Sequence, residues 1–116
     1  MKLVLCNCPP EAAEGLAEGL VAAGLAACVN LLPGVRSFYV WEGALCREAE
    51  TTLLIKVAAE RVEALRTALV AAHPYDCPEV LVLPVAVAES HGPYLDWVRA
   101  AVGISRSAGG ADSDET

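Results

Sequence analysis

The sequence has few aromatic residues and no long apolar run. Aromatic side chains make up 5% of the 116 residues, whereas hydrophobic residues of all kinds make up 55%. No stretch reaches the roughly 18 apolar residues that a membrane helix needs, and no charged leader with an apolar core opens the chain. These absences predict one cytoplasmic domain with no membrane partner, and a core of alanine, valine and leucine. The excess of apolar residues over what one small core needs indicates oligomer contacts.

Positive charge and catalytic motifs are also scarce. Eight Lys and Arg residues against fifteen Asp and Glu residues give a net charge of −7. An acidic surface repels phosphate backbones, so we expect no nucleic-acid partner. The chain lacks a phosphate-cradling glycine loop, a nucleophile elbow, an HExxH motif and paired CxxC motifs, which disfavours an enzyme. Its five cysteines, an odd number without export features, favour thiols over disulfides.

A long β-hairpin organises the chain between residues 25 and 57. Residues 35–41 alternate in the period of a strand, Glu42-Gly43 marks a turn, and residues 51–57 return as a second strand. Pro33-Gly34 predicts a bend or bulge in the first arm. Because strands usually have five or six residues, arms this long are expected to overhang a small domain and pair with another chain.

The remaining elements complete a β-α-β-β-α-β-α order. We predict a strand at residues 3–6, helices at 10–23, 59–72 and 92–102, and a strand at 80–88 that Pro84 restricts to an edge, an end or a bulge. This order is the split βαβ arrangement of ferredoxin-like α+β folds, in which the first and third strands are central. Residues 1–104 would form that domain, and residues 105–116 a disordered acidic tail.

Two spaced signatures resemble the CutA divalent-cation tolerance family. They are Ala26-Ala27-Cys28-Val29-Asn30, Pro33-Gly34, Ser37, Tyr39, Trp41-Glu42-Gly43, Glu50 and Lys56, and then His73-Pro74-Tyr75, Pro78-Glu79, Pro84, Tyr94-Leu95 and Trp97. The resemblance implies a ferredoxin-like homotrimer whose sheets join edge to edge. It also implies a non-enzymatic role in the response to metal ions, with copper or another divalent cation bound near subunit interfaces.

Four residues are the candidate metal ligands. Cys6 and Cys8 share one face of a strand, where two thiolates suit a soft ion, although buried core cysteines are the plainer alternative. The resemblance places Cys6 and His73 at family positions associated with the metal site, whereas a helix-capping role is the alternative for His73. Glu50 would be a hard oxygen ligand; the alternative is an exposed charge on the strand that serves solubility or cross-strand pairing.

Six further residues are candidates for a cleft or an interface: Tyr39, Trp41, Lys56, Tyr75, Tyr94 and Trp97. Aromatic residues of this kind are more often core or interface anchors. The second interpretation is a PII-like small-molecule or anion sensor with clefts between subunits, where Lys56, Arg36 and Arg47 supply positive charge. A third is a structural partner protein with incidental thiol–metal binding. Cys28 is expected to pack, Cys46 to be reactive, and His91 to face solvent.

Overall fold

The computed structural model describes residues 1–104, so the predicted acidic tail lies outside the described residues. Four strands and three α-helices follow one another along the chain, and short 3-10 turns precede all three helices. The strands and helices are β1 (Lys2–Cys8), α1 (Ala13–Ala22), β2 (Cys28–Trp41), β3 (Ala44–Val57), α2 (Val62–Ala72), β4 (Val80–Pro84) and α3 (Gly92–Ala101). The 3-10 turns are Pro10–Ala12, Ala59–Arg61 and Val87–Glu89.

The strands form one antiparallel sheet in the order β2-β3-β1-β4. The first and third strands are therefore central and the second and fourth are edges, as the sequence predicted. Both features that looked unusual in the sequence, the overhanging arm and the proline-containing strand, lie at edges. A sheet edge presents unpaired backbone groups, so these two strands are where a further strand can pair.

The helices α1 and α2 cover one face of the sheet, which we call the covered face. Alternate residues of the two central strands point into it, and α1 and α2 supply leucines from the other side. Val4, Leu53, Ile55, Leu65 and Leu69 are fully buried there. A fully buried aliphatic side chain stabilises the fold by roughly 1.5–3 kcal/mol, so this layer holds the domain together. A second cluster, formed by Met1, Ala27, Ala58, Leu95, Val98 and Val102, fixes α3 against the body.

The opposite face, which we call the open face, is not covered by α1 or α2. It carries the other set of alternate residues, among them Leu5 and Leu54, which are only half-buried. On the edge strand β4, Leu81 is 54% exposed and Leu83 is 41% exposed. Apolar side chains on a sheet face that the same chain leaves uncovered indicate an interaction surface.

The hairpin of β2 and β3 turns at Glu42-Gly43, as predicted. Both residues have positive φ, at 50° and 81°, which is the backbone of a tight two-residue hairpin turn and explains the glycine. A β-bulge interrupts the pairing between Leu32 and Val35, where Gly34 has φ of 77°. The expected bulge at Pro33-Gly34 is thus confirmed, and beyond it the arm continues past the end of β1.

Three predicted boundaries were wrong. The last strand ends at Pro84 and not at residue 88, because its partner β1 begins at Lys2, opposite Pro84. Only one more backbone bond follows, from the Val85 N–H to the Met1 carbonyl, and the chain then turns into a 3-10 segment. The first two predicted helices both begin as 3-10 turns, so their α-helical parts start about three residues later than the apolar pattern indicated.

Candidate functional site

An aromatic and acidic groove lies where the hairpin arm passes the end of β1. It consists of two adjoining cavities of about 480 Å³ and 550 Å³ that share Tyr39, Trp41, Tyr75 and Cys77. The first cavity is also lined by Asn7, Ser37, Phe38, Glu50 and Glu79, and the second by Cys46, Glu48, Pro74 and Asp76. We call this the aromatic groove. The strand arm and the loop between α2 and β4 supply its two walls.

Glu50 is the most buried carboxylate of the groove. Its residue is 7% exposed, and its Oε2 accepts a hydrogen bond of 2.9 Å from the Tyr75 hydroxyl. No Lys, Arg or His side chain within the described residues forms an ion pair with it. A buried carboxylate without a cationic partner is costly, so Glu50 gives the groove a strong preference for positive charge.

The tyrosines of the groove report the same negative environment. Burial raises the pKa of Tyr75, and the hydrogen bond and charge of Glu50 raise it further. Desolvation also raises the pKa of Tyr39, and the Glu48 carboxylate raises it further. A nearby negative charge disfavours ionisation of a phenol, so both hydroxyls stay protonated and act as donors.

Asn7 connects the three elements that meet at the groove. Its side-chain oxygen accepts a 2.6 Å hydrogen bond from the Thr52 hydroxyl, and its amide donates to Glu79 Oε1 at 3.1 Å. Its backbone carbonyl accepts a 2.9 Å bond from His73 Nε2. One residue thereby ties β1 to β3, to the approach of β4 and to the end of α2.

His73 lies at the C-terminal end of α2, as expected, and it is 7% exposed. Its Nε2 carries the proton donated to Asn7, while its Nδ1 accepts the Tyr75 backbone N–H at 3.1 Å. Both ring nitrogens are therefore engaged within the chain. The ring also lies 4.8 Å from that of Tyr75, measured between centroids. His73 positions the loop that carries Tyr75 into the groove.

Cys6 and Cys8 lie together on the covered face, both 0% exposed. The Cys6 thiol donates to the Asn7 carbonyl and the Cys8 thiol to the Thr51 carbonyl, each at 3.7 Å. Burial, followed by the charge of Cys8, raises the pKa of Cys6 to about 12, and burial also raises that of Cys8. Because a metal ligand must be the thiolate, these two thiols do not fit an ion within the chain as it is folded here.

The four candidate ligands do not form one centre in a single chain. Across residues 1–104, no group of three His, Cys, Asp or Glu side chains is placed to hold a metal ion. Glu50 faces the groove, whereas the thiols of Cys6 and Cys8 face the helices. His73 hydrogen-bonds to the backbone carbonyl of Asn7, which lies between the two cysteines. The sequence missed Asn7 and Glu79 as site residues. Their signals were a polar residue at a strand end and an acid directly before an edge strand.

Three of the other cleft candidates gather at the opposite end of β3. The Lys56 ammonium donates to Asn30 Oδ1 and lies 4.0 Å from Cys28 Sγ. The rings of Tyr94 and Trp97, both on α3, stack on each other with centroids 5.7 Å apart. Burial raises the pKa of Tyr94, and the nearby Cys28 raises it further. This second cluster is separate from the aromatic groove.

The remaining candidates have varied surroundings. Arg36 and Arg47 flank the exposed ring of Phe38, with their guanidinium carbons 5.7 Å and 5.9 Å from its centroid. Neither arginine lines the aromatic groove. All five cysteines are free, Cys77 is exposed, and Cys28 and Cys46 are half-buried. His91 is exposed, as predicted.

The sheet, the helices and the uncovered face define an α+β protein of the PII-like class, because the chain superposes on solved members of that class. The PII-like protein CutA from Nostoc sp. PCC 7120, in apo form, is 41% identical with a TM-score of 0.86, over 90% of this chain and 99% of that one. The CutA1 divalent ion tolerance family model matches residues 2–101. The chain belongs to that family.

Two further relatives extend the comparison. The divalent-cation tolerance protein CutA of Pectobacterium atrosepticum is 48% identical over 101 residues, which are 86% of this chain and 90% of that protein. The periplasmic divalent cation tolerance protein CutA from Archaeoglobus fulgidus has a TM-score of 0.82 at 31% identity, over 88% of this chain and 99% of that one. Within the described residues, no helix is both long and apolar enough to cross a bilayer.

Proposed function

We propose that this chain is a non-enzymatic divalent-cation tolerance protein that assembles as a homotrimer and binds copper or another divalent ion at a subunit junction. The observation that carries this proposal is Glu50, a carboxylate that is 7% exposed and has no cationic partner among the described residues. The chain's membership of the CutA1 divalent ion tolerance family supports a role with divalent ions.

The open face supports the trimer. Leu81 and Leu83 are half-exposed on the edge strand β4, and the long arm extends the other edge beyond the body. Joining edges between copies would pair the unsatisfied backbone groups and bury these leucines. Such a junction would also bring side chains of a second copy near the groove, where one chain alone offers too few ligands.

Glu50 is the ligand that the geometry favours first. Cys6 and Cys8 would have to lose protons that burial retains, and His73 would have to release one of its two hydrogen bonds. We therefore propose that any contribution of Cys6, Cys8 or His73 follows a local rearrangement. A hard divalent ion needs no such change to meet a carboxylate.

The test is a titration of the reduced protein with Cu(II), Cu(I) and Zn(II), with molecular mass measured by light scattering in each sample. We expect Glu50→Gln to weaken binding of a divalent ion by at least about tenfold, since the loss of one charged ligand is of the order of 1.4 kcal/mol. Cys6→Ser, Cys8→Ser and His73→Gln should weaken it less.

The matched control is Glu89→Gln, which removes one exposed carboxylate that lines neither cavity of the groove. This variant changes the net charge by the same amount as Glu50→Gln does, and it should bind the divalent ion as the unmodified protein does. If Glu50→Gln keeps its affinity in a trimer of unchanged mass, the proposed site is wrong. If the unmodified protein is monomeric at micromolar concentration, the junction itself is wrong.

A PII-like sensor is the second candidate, and the Lys56 cluster is the observation that favours it. The ammonium of Lys56 lies beside Asn30 and Cys28 at one end of the sheet. A small anion bound there would have a charged donor and neighbouring amide and thiol groups. Saturable binding of a carboxylate or nucleotide that Lys56→Met abolishes would support this candidate.

We also propose a cytoplasmic location. Five free cysteines in a chain of this size suit a reducing compartment, where thiols persist. Fractionation of cells that express the tagged full-length protein would test this, with the thiol state measured in each fraction.

A further inference from the structure

The aromatic groove has a lining that suits an organic cation. Its two cavities contain four carboxylates, from Glu48, Glu50, Asp76 and Glu79, and their linings include no Lys, Arg or His side chain. Tyr39, Trp41 and Tyr75 line both cavities. Negative charge and aromatic surface therefore occur together, although aromatic residues are only 5% of the sequence.

Metal ions and organic cations make different demands on such a groove. A metal ion needs several donors converging on one point, and the described residues provide no group of three. An alkylammonium or guanidinium group needs only one or two acceptors within hydrogen-bond reach, and it gains from an aromatic face within about 6 Å. Trp41 is 60% exposed and thus offers its ring to a ligand.

The dimensions and the hydrogen bonds also fit a small molecule. The first cavity, about 480 Å³, falls within the roughly 300–1,000 Å³ range of small-molecule sites. Glu50 is held in place by Tyr75, and Glu79 by Asn7, so both carboxylates are oriented before any ligand arrives. Pre-oriented acceptors lower the entropy lost on binding.

We propose that the aromatic groove binds a small organic cation of the alkylammonium or guanidinium class, with Glu50 and Glu79 accepting its hydrogen bonds and Trp41 and Tyr39 contacting its face. This goes beyond metal tolerance, because it assigns the groove a carbon-based ligand. The same chemistry is available from a free amine or from a Lys or Arg side chain of a second copy. The free small molecule is the proposed occupant.

The test uses agmatine, which carries both cationic groups, added to the metal-free full chain in EDTA. The readout is the indole N–H signal of each tryptophan in two-dimensional NMR. The chain has two tryptophans, and Trp97 stacks on Tyr94 in α3, outside the groove lining, so it serves as an internal control. We expect a saturable shift of the Trp41 signal and no shift of the Trp97 signal.

Three variants and a neutral ligand sharpen the result. Glu50→Gln and Trp41→Leu should each weaken agmatine binding, measured by calorimetry, by at least about tenfold. Glu89→Gln should leave it unchanged, and 1-butanol, which lacks charge, should not bind. Folding of each variant is checked by its thermal transition.

Two outcomes would overturn the proposal. One is the absence of any saturable Trp41 shift at millimolar agmatine. The other is binding accompanied by a fall in molecular mass, which would show that a Lys or Arg of a second copy occupies the groove. The EDTA separates this test from the metal proposal: a protein that binds copper through Glu50 but ignores agmatine refutes only the organic-cation inference.

Discussion

The two faces of the sheet use the same strands for opposite purposes. On β1, Cys6 and Cys8 are completely buried under the helices, whereas Asn7 between them faces the other way and bonds to three elements. On β3, Leu53 is buried and Thr52 is only partly so. Because side chains alternate along a strand, one residue separates packing from chemistry.

The difference shows why residue type alone was a poor guide to the site. Thiols are strong metal ligands, yet the covered face keeps Cys6 and Cys8 protonated. Carboxylates are ordinary surface residues, yet Glu50 is buried beside the open face and bound to Tyr75. Position relative to the helices decides which group can meet a ligand.

The largest expected effect on the free energy of unfolding comes from truncating one leucine on each face to alanine. Leu53→Ala removes a fully buried side chain and should lower the free energy of unfolding by about 2–5 kcal/mol. Leu83→Ala changes a side chain that is 41% exposed, so within one chain it should cost less than about 1 kcal/mol. Urea unfolding at several protein concentrations measures both.

The concentration series distinguishes the two faces further. The loss in Leu53→Ala should be the same at every protein concentration, because the contacts lie within one chain. Any additional loss in Leu83→Ala should grow as the protein is diluted, because it would come from contacts between copies. A loss in Leu83→Ala that equals that of Leu53→Ala at all concentrations would remove the contrast.

A smaller effect is expected at alkaline pH. The folded chain keeps the Cys6 proton until about pH 12, whereas the ordinary thiol pKa is 9.0. Above pH 9 the unfolded state therefore binds fewer protons than the folded state, so stability falls as pH rises toward 12. One such group contributes a slope of at most about 1.4 kcal/mol per pH unit.

The measurement is the free energy of unfolding in reducing buffer between pH 8.5 and 10.5. Cys6→Ala should show a shallower decline than the unmodified protein. The control is Cys77→Ala, which removes an exposed thiol and should keep the original decline. Equal slopes in Cys6→Ala and Cys77→Ala would mean that Cys6 ionises freely in the folded chain.

The smallest effect compares two adjacent threonines on opposite faces. Thr52→Val removes the hydroxyl that donates to Asn7, and it should lower the free energy of unfolding by about 1 kcal/mol because the Asn7 oxygen loses its partner. Thr51→Val should change it by less than about 0.5 kcal/mol, since no side-chain hydrogen bond of Thr51 occurs in the described residues. Thermal unfolding by calorimetry resolves this difference. A reversed order would mean that the open-face network does not stabilise the fold.

The sequence predicted the fold well because the fold depends on local signals. The alternation over residues 35–41, the Glu42-Gly43 turn and the apolar spacing of α2 each act within a few residues, and all are confirmed. The end of β4 was missed because it depends on where β1 begins, which is a long-range property. Local patterns do not contain the length of a partner strand.

The site was only partly predictable for the same reason. Glu50, Tyr75, Tyr39 and Trp41 were all named as candidates, and the structure brings them to one groove. The roles of Asn7 and Glu79 were missed because they arise from hydrogen bonds between elements far apart in the chain. The metal ligands Cys6, Cys8, His73 and Glu50 remain a proposal.

The bulge at Pro33-Gly34 has a consequence for the identity of the groove. Before it, the even-numbered residues of β2 pair across the open face, as Asn30 does with Leu54. After it, the odd-numbered residues do so, as Tyr39 does with Cys46. The extra residue at this one point changes which alternate residues of β2 share a face with the even-numbered residues of β3, and it thereby places Tyr39 and Trp41 on the same face as Glu48 and Glu50, where the acidic and aromatic sides of the groove meet.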